Sequence, residues 1–112
     1  MIIEAHSVFI LDSAKNDYRE IRKYVRHKFG EKVWSESEQK FKAVLRDIGE
    51  FPFAGFVPDE ALSLGLQGIR ERLVGQTRVI YEIGEQDVYL SMFVSTRRDF
   101  MTMLTDRLLK GQ

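Results

Sequence analysis

The sequence predicts an α+β fold: an antiparallel β-sheet packed on an N-terminal helical hairpin, in the order β-α-α-β-β-β-α. Three observations predict it. Residues 68–99 hold three runs that alternate apolar and polar side chains, joined by two short turns, as a meander requires. Two stretches on either side of Gly30 instead repeat their apolar residues at helical spacing. The link between them is so short that the helices must fold back on each other, and only a sheet is left to cover their joined apolar faces.

Ser7–Leu11 is a short apolar run of strand length. Asp12 and Ser13 then offer N-cap oxygens for a first helix, in which Ala14, Tyr18, Ile21 and Val25 form the apolar stripe and Gly30 the stop. Arg19, Arg22, Lys23 and Arg26 form a basic stripe on another face. A solvated face accounts for it simply; a surface for a partner or for phosphates is the sharper alternative.

A second helix is expected from about Lys32 to Ile48, with Trp34, Ser37, Phe41, Val44, Leu45 and Ile48 on one face. Gly49 reads as its stop, and Pro52 forbids continuation. Residues 51–67 follow as an ordered crossover loop, since Phe51, Phe53, Phe56 and Leu62 are poor residues for a disordered linker.

In the meander, Ile69, Glu71 and Leu73 alternate with Arg70, Arg72 and Val74, and Gly75-Gln76 suits a two-residue turn. Val79, Tyr81 and Ile83 share one face of the next run; Arg78, Ile80 and Glu82 share the other. Strict alternation in the third run places Val88, Leu90, Met92 and Val94 on its apolar face, and Tyr89, Ser91, Phe93 and Ser95 opposite. The expected result is one face for the helices and a second, concave face carrying Arg70, Arg72 and Arg78 beside Ile80, Tyr89 and Phe93. Asp99 caps a closing helix, with Phe100, Met103, Leu104 and Leu108 as its apolar stripe and Arg107 and Lys110 in its last turn, which partly covers that second face.

Composition narrows the class. A chain of 112 residues is expected to form a single domain over 1–112. Cysteine is absent, which excludes disulfides and thiolate metal sites, and His6 and His27 lack ligand-like neighbours, so no metal or cofactor is expected. No secretory signal or membrane-length apolar run appears, and a cytoplasmic location without a membrane partner is the expectation. Seventeen basic and seventeen acidic residues balance to zero, against a dedicated nucleic-acid binder but not against a local basic patch.

Several segments together resemble the RelE/ParE superfamily of bacterial toxins. They are the helix ending IRKYV, the loop FP-x-x-G-x-x-PDE, the strands GIRERLV and TRVIYEI, and the close STRRD followed by RLL. No piece is specific alone; their order over most of the chain carries the resemblance. It implies a toxin of a type II toxin–antitoxin pair, held silent by a cognate antitoxin and without a small-molecule cofactor. RelE-like members cleave mRNA on the ribosome with a metal-independent basic site, whereas ParE-like members inhibit DNA gyrase.

The RelE-like site matches in part. Arg70 and Arg72 stand where that branch has two lysines, Arg78 precedes Val79-Ile80-Tyr81 as the family arginine does, and Arg97 or Arg98 matches the arginine after the last strand. The closing-helix tyrosine is missing, with Met103 or Leu104 nearby, and the chain ends in Lys110-Gly111-Gln112. Arginine also stays protonated at physiological pH and is a poor base. If the chain is a nuclease, Arg70, Arg72, Arg78, Arg97 and Arg98 are its phosphate clamps without an evident acid–base pair. The same arginines, with Tyr89 and Phe93, are otherwise contacts for a target or antitoxin. Arg70, Arg72 and Arg78 also read as cross-strand partners of acids near Glu71 or Glu82, and Arg97-Arg98 as an anchor for an acidic antitoxin segment. The residues and the resemblance together favour a ParE-like gyrase inhibitor. A ribosome-dependent RelE-like endoribonuclease acting on mRNA, and a non-toxic relic that only binds antitoxin, are the alternatives.

Overall fold

A computed structural model of the chain describes residues 6–109; Lys110, the terminal Gly111-Gln112 and residues 1–5 lie outside it. The order is β1 (Ser7–Ile10), α1 (Asp12–Phe29), α2 (Glu31–Glu50), α3 (Asp59–Ser63), β2 (Ile69–Val74), β3 (Thr77–Ile83), β4 (Asp87–Ser95) and α4 (Phe100–Leu109). The α+β class and the N-terminal helical hairpin are as expected.

Gly30 alone links α1 to α2. Its φ of 92° is a conformation that side chains resist, and its N–H closes α1 on the Arg26 carbonyl at 3.0 Å. The expected side-chain cap on α1 is absent: the helix begins at Asp12 itself, with Leu11 as N-cap. Gly49 does not end α2, which runs on to Glu50. It marks a close approach instead, because a Cβ there would lie 3.0 Å from the Val8 side chain and 3.2 Å from the His6 carbonyl.

Sheet order is β1-β4-β3-β2. The β2-β3-β4 meander is antiparallel, as expected, and β1 joins it parallel to β4, which makes the sheet mixed. Chain reversals explain the direction. The hairpin returns the chain to the end where β1 began, marked by the His6 N–H donating to the Gly49 carbonyl at 2.8 Å. From there β2 sets out in the direction of β1, β3 reverses it and β4 restores it.

Each sheet face has its own core. Toward the hairpin, Val79, Tyr81, Val88, Leu90 and Phe93 pack with Ala14, Trp34, Phe41 and Ile48. On the other face, Ile69, Ile80, Met92 and Val94 pack with Ala61 of α3 and with Phe100 and Leu104 of α4. The crossover is ordered, with a 3₁₀ turn at Pro52–Ala54 and α3 after Pro58. Asp99 caps α4 as its type suggests, accepting from the Thr102 N–H at 3.2 Å and the Thr102 hydroxyl at 2.8 Å.

One irregularity reassigns the faces of β4. Ile80 pairs with Met92 but Tyr81 pairs with Leu90, so Ser91 is an extra, bulged residue. Val88 and Leu90 face the hairpin; beyond the bulge Phe93 does, and Met92 and Val94 turn to the α4 face. The expected unbroken alternation, with Phe93 on the open face, is therefore corrected.

Candidate functional site

The register of β2 and β3 decides where the arginines go. With a two-residue turn, Val74 pairs with Thr77, so Leu73 pairs with Arg78, Arg72 with Val79, and Arg70 with Tyr81. Directly opposed residues share a face. Arg70 and Arg72 therefore lie on the hairpin side with Val79 and Tyr81, while Arg78 lies on the α4 side with Leu73 and Val94. The expected concave face carrying all three does not form.

On the hairpin side both arginines are occupied. Arg72 pairs with Asp47 of α2, and Arg70 donates to the Gly55 carbonyl at 3.3 Å with its guanidinium 5.6 Å from the Phe53 ring centre. The loop presses closely on the sheet here. Tyr81, its phenol raised by burial, donates to the Pro52 carbonyl at 2.6 Å. A Cβ on Gly55 would collide with the Tyr81 hydroxyl and come within 2.9 Å of the Glu71 carbonyl.

Arg78 is the centre of a largely buried ion triad. Its fork takes Glu60 of α3 with both terminal nitrogens, at 2.9 and 3.1 Å, and Glu71 of β2 through Nε and Nη2, at 3.0 and 2.7 Å. Its planar group sits 4.5 Å from the Phe100 ring centre. Glu71 is only 2% exposed, so without a counter-cation it would be an uncompensated buried charge. The Arg78 hydrogen bond holds the Glu60 carboxyl below its ordinary value, and the bonds to Glu60 and then Glu71 push the arginine still higher. One cation against two carboxylates leaves the triad with a net negative charge. The acidic neighbour of β2 was legible in the sequence; Glu60, which arrives on a five-residue helix from the crossover, was not.

The remaining candidates separate further. Arg97 and Arg98 are exposed in the turn after β4, and their side chains have no hydrogen-bond or ion-pair partner among the described residues. Tyr89 is half-exposed and stacks on Phe9 with ring centres 5.9 Å apart. Phe93 is buried under the hairpin, edge-on to Tyr18 at 5.3 Å and Phe41 at 5.8 Å, and offers no surface for docking. Arg107 has a role that its place near the helix C-terminus did not suggest. Its Nη2 donates to both Asp17 oxygens at 2.9 Å and its Nη1 to the Ser91 carbonyl at 2.6 Å, while Asp17 accepts the Phe93 N–H at 3.1 Å. The ion pair thus satisfies the edge of β4 that continues past the end of β1.

Beyond these, Phe51, Phe53 and Phe56 are each more than half exposed along the crossover. Among the described residues no group of three His, Cys, Asp or Glu is placed to hold a metal, and no helix is long and apolar enough to cross a membrane.

Comparison with known proteins follows the same outline. Residues 8–100 match the family described as ParE toxin of type II toxin-antitoxin system, parDE. A chain of the solved structure titled "Chromosomal ParDE TA system from P. aeruginosa" superposes with a TM-score of 0.66 at 10% identity, covering 81% of this chain and 96% of that one. At that identity the likeness shows the fold alone. No match was found among curated proteins.

Proposed function

Because the chain belongs to the ParE toxin family of type II toxin–antitoxin systems, we propose that it acts in the cytoplasm by binding, as an inhibitor of DNA gyrase neutralised by a cognate antitoxin. The observation that carries this reading is the state of Arg78. In the RelE-like alternative Arg78 belongs to a cluster of cations that clamps the scissile phosphate. Here it is closed by Glu60 and Glu71, and Arg70 and Arg72 lie across the sheet from it. A phosphate arriving at Arg78 meets a net negative triad rather than a clamp. Arg97 and Arg98 stay exposed and remain contact candidates for the target or the antitoxin, as does Tyr89.

Expression of the chain alone in a bacterium, compared with co-expression of the small reading frame beside its gene, tests the proposal. Filamentous cells with a DNA-damage response, relieved by the neighbouring frame, are the expected outcome, together with loss of supercoiling by purified gyrase on addition of the chain. Immediate arrest of translation with cuts inside codons overturns it in favour of the ribonuclease. Normal growth of the solo culture, with the chain soluble and folded, leaves the antitoxin-binding relic.

A further inference from the structure

Arg72, Arg78 and Arg107 each sit in a partly buried ion pair, but among the described residues no cation on the basic face of α1 does. That helix holds six lysines and arginines against three carboxylates, in a chain whose total is zero. One of those carboxylates, Asp17, is already committed to Arg107. The rest of the molecule is therefore net negative by three, and the positive charge is concentrated on one helix.

Within α1, Arg19, Arg22, Lys23 and Arg26 line a shallow open depression together with Glu20 and His27. Every pair among these four cations that is three or four residues apart is a like-charge pair, and such neighbours oppose the helix. Arg26 is drawn to Glu31 at 2.9 Å and Arg19 reaches only the Asn16 amide. Arg22 and Lys23 have no acidic partner within 4.0 Å among the described residues. Complementing the negative end of the helix would explain Arg26 and Lys28 in the last turn, but not cations one and two turns earlier.

We propose that this face of α1, centred on Arg22 and Lys23, is a docking surface for an acidic segment of a polypeptide partner. Charge complementarity selects the sign, and the extent of the stripe selects the class. Seven residues of helix span about 10 Å, enough for a few carboxylates on a strand or helix. A nucleic acid would carry its phosphate track beyond α1 and across the net negative remainder of the molecule. Tyr24, the exposed aromatic residue of this stretch, is turned to Phe29 and Lys28 and does not line the depression, so a base-stacking platform is absent there. Identifying the partner with the antitoxin rests on the reading above; the surface itself does not.

The test is fluorescence anisotropy of a labelled short oligo-glutamate peptide titrated with the full chain. Saturable binding is expected, weakened about tenfold in Arg22→Glu/Lys23→Glu, weakened less in Arg22→Gln/Lys23→Gln, and lost at high salt. Lys32→Glu/Lys40→Glu, which makes the same charge change on α2, should bind nearly as the parent does. Absence of binding by the parent chain overturns the proposal, as does equal weakening by the α2 control. Tighter, Arg22- and Lys23-dependent binding of a short single-stranded DNA overturns it in favour of a nucleic-acid surface. None of these readouts depends on toxicity, so failure of the gyrase reading is seen separately.

Discussion

Replacing Arg78 with methionine isolates the ion triad. Methionine keeps most of the stem volume and the contact with Phe100 but removes the fork. Glu71, 3% exposed in its side chain, is then left without its counter-charge, whereas Glu60, 25% exposed, can turn to solvent. Breaking a buried pair from one side costs about 3–5 kcal/mol, nearly all of it assigned here to Glu71. For a chain of this length that is a fall in melting temperature of roughly 10–20 °C. Urea denaturation followed by circular dichroism reads the change as a lower midpoint at constant slope. Adding Glu71→Met to the Arg78→Met background should restore most of the loss, because two apolar side chains of similar volume replace the pair. The reasoning is refuted if Arg78→Met costs under about 1 kcal/mol, or if the second substitution adds its own penalty instead of relieving the first. A cheap loss of Arg78 would mean a guanidinium free for phosphate, and would revive the ribonuclease.

Three further outcomes are expected. Arg107→Ala removes the counter-charge of Asp17 and leaves the Ser91 carbonyl only the Ser13 hydroxyl at 3.4 Å, at a cost of about 1–3 kcal/mol, and should speed hydrogen exchange at the Phe93 amide; unchanged exchange there would remove the role assigned to the ion pair. Gly55→Ala forces a Cβ against the Tyr81 hydroxyl and the Glu71 carbonyl and should destabilise by about 1–3 kcal/mol, part of it recovered by Tyr81→Phe; a neutral Gly55→Ala would show that the loop yields freely. Stability should also fall with acid through Glu60. Its folded carboxyl is held below the ordinary value, so its contribution is fully present above that ordinary value and disappears as pH falls through the lowered one. Glu60→Gln should flatten this part of the pH profile of the melting temperature, and an identical acid limb in the variant would contradict the assignment.

The elements were legible because their signals are local: alternation in the strands, helical spacing on both sides of Gly30, and a glycine where only a positive φ can turn the chain. The cap of α4 was legible for the same reason. What failed at the candidate site depended on register. Arg70, Arg72 and Arg78 look like one set when each strand is read by itself. A two-residue turn at Gly75-Gln76 nevertheless pairs Leu73 with Arg78, which sends Arg78 to the opposite face. That error was avoidable from the turn alone. The bulge at Ser91 was not, since Val88–Val94 alternates well enough to read as a regular strand, and the extra residue is fixed by Arg107 and Asp17, which the chain brings from its two ends. Glu60 was hidden likewise, in a crossover whose path only the folded structure supplies.

The placement of cations bears on function through what each leaves for a partner. Three of the five arginines that resemble a nuclease site are spent inside the molecule: Arg72 on Asp47, Arg70 on a loop carbonyl and an aromatic ring, Arg78 on two carboxylates. To serve a phosphate, Arg78 would have to release Glu60 and still carry Glu71, whose burial leaves it no other cation among the described residues. The exchange swaps a formed, desolvated bidentate pair for one with a ligand that must itself be stripped of water, so it has little to gain. Arg97, Arg98 and, on α1, Lys23 face no such competition among the described residues, because their cost of recruitment is only that of ordering exposed side chains. An anionic partner is thus drawn to the outer surface, away from the sheet face where the chemistry would have to occur, and this arrangement supports the proposed action by contact over the ribonuclease alternative.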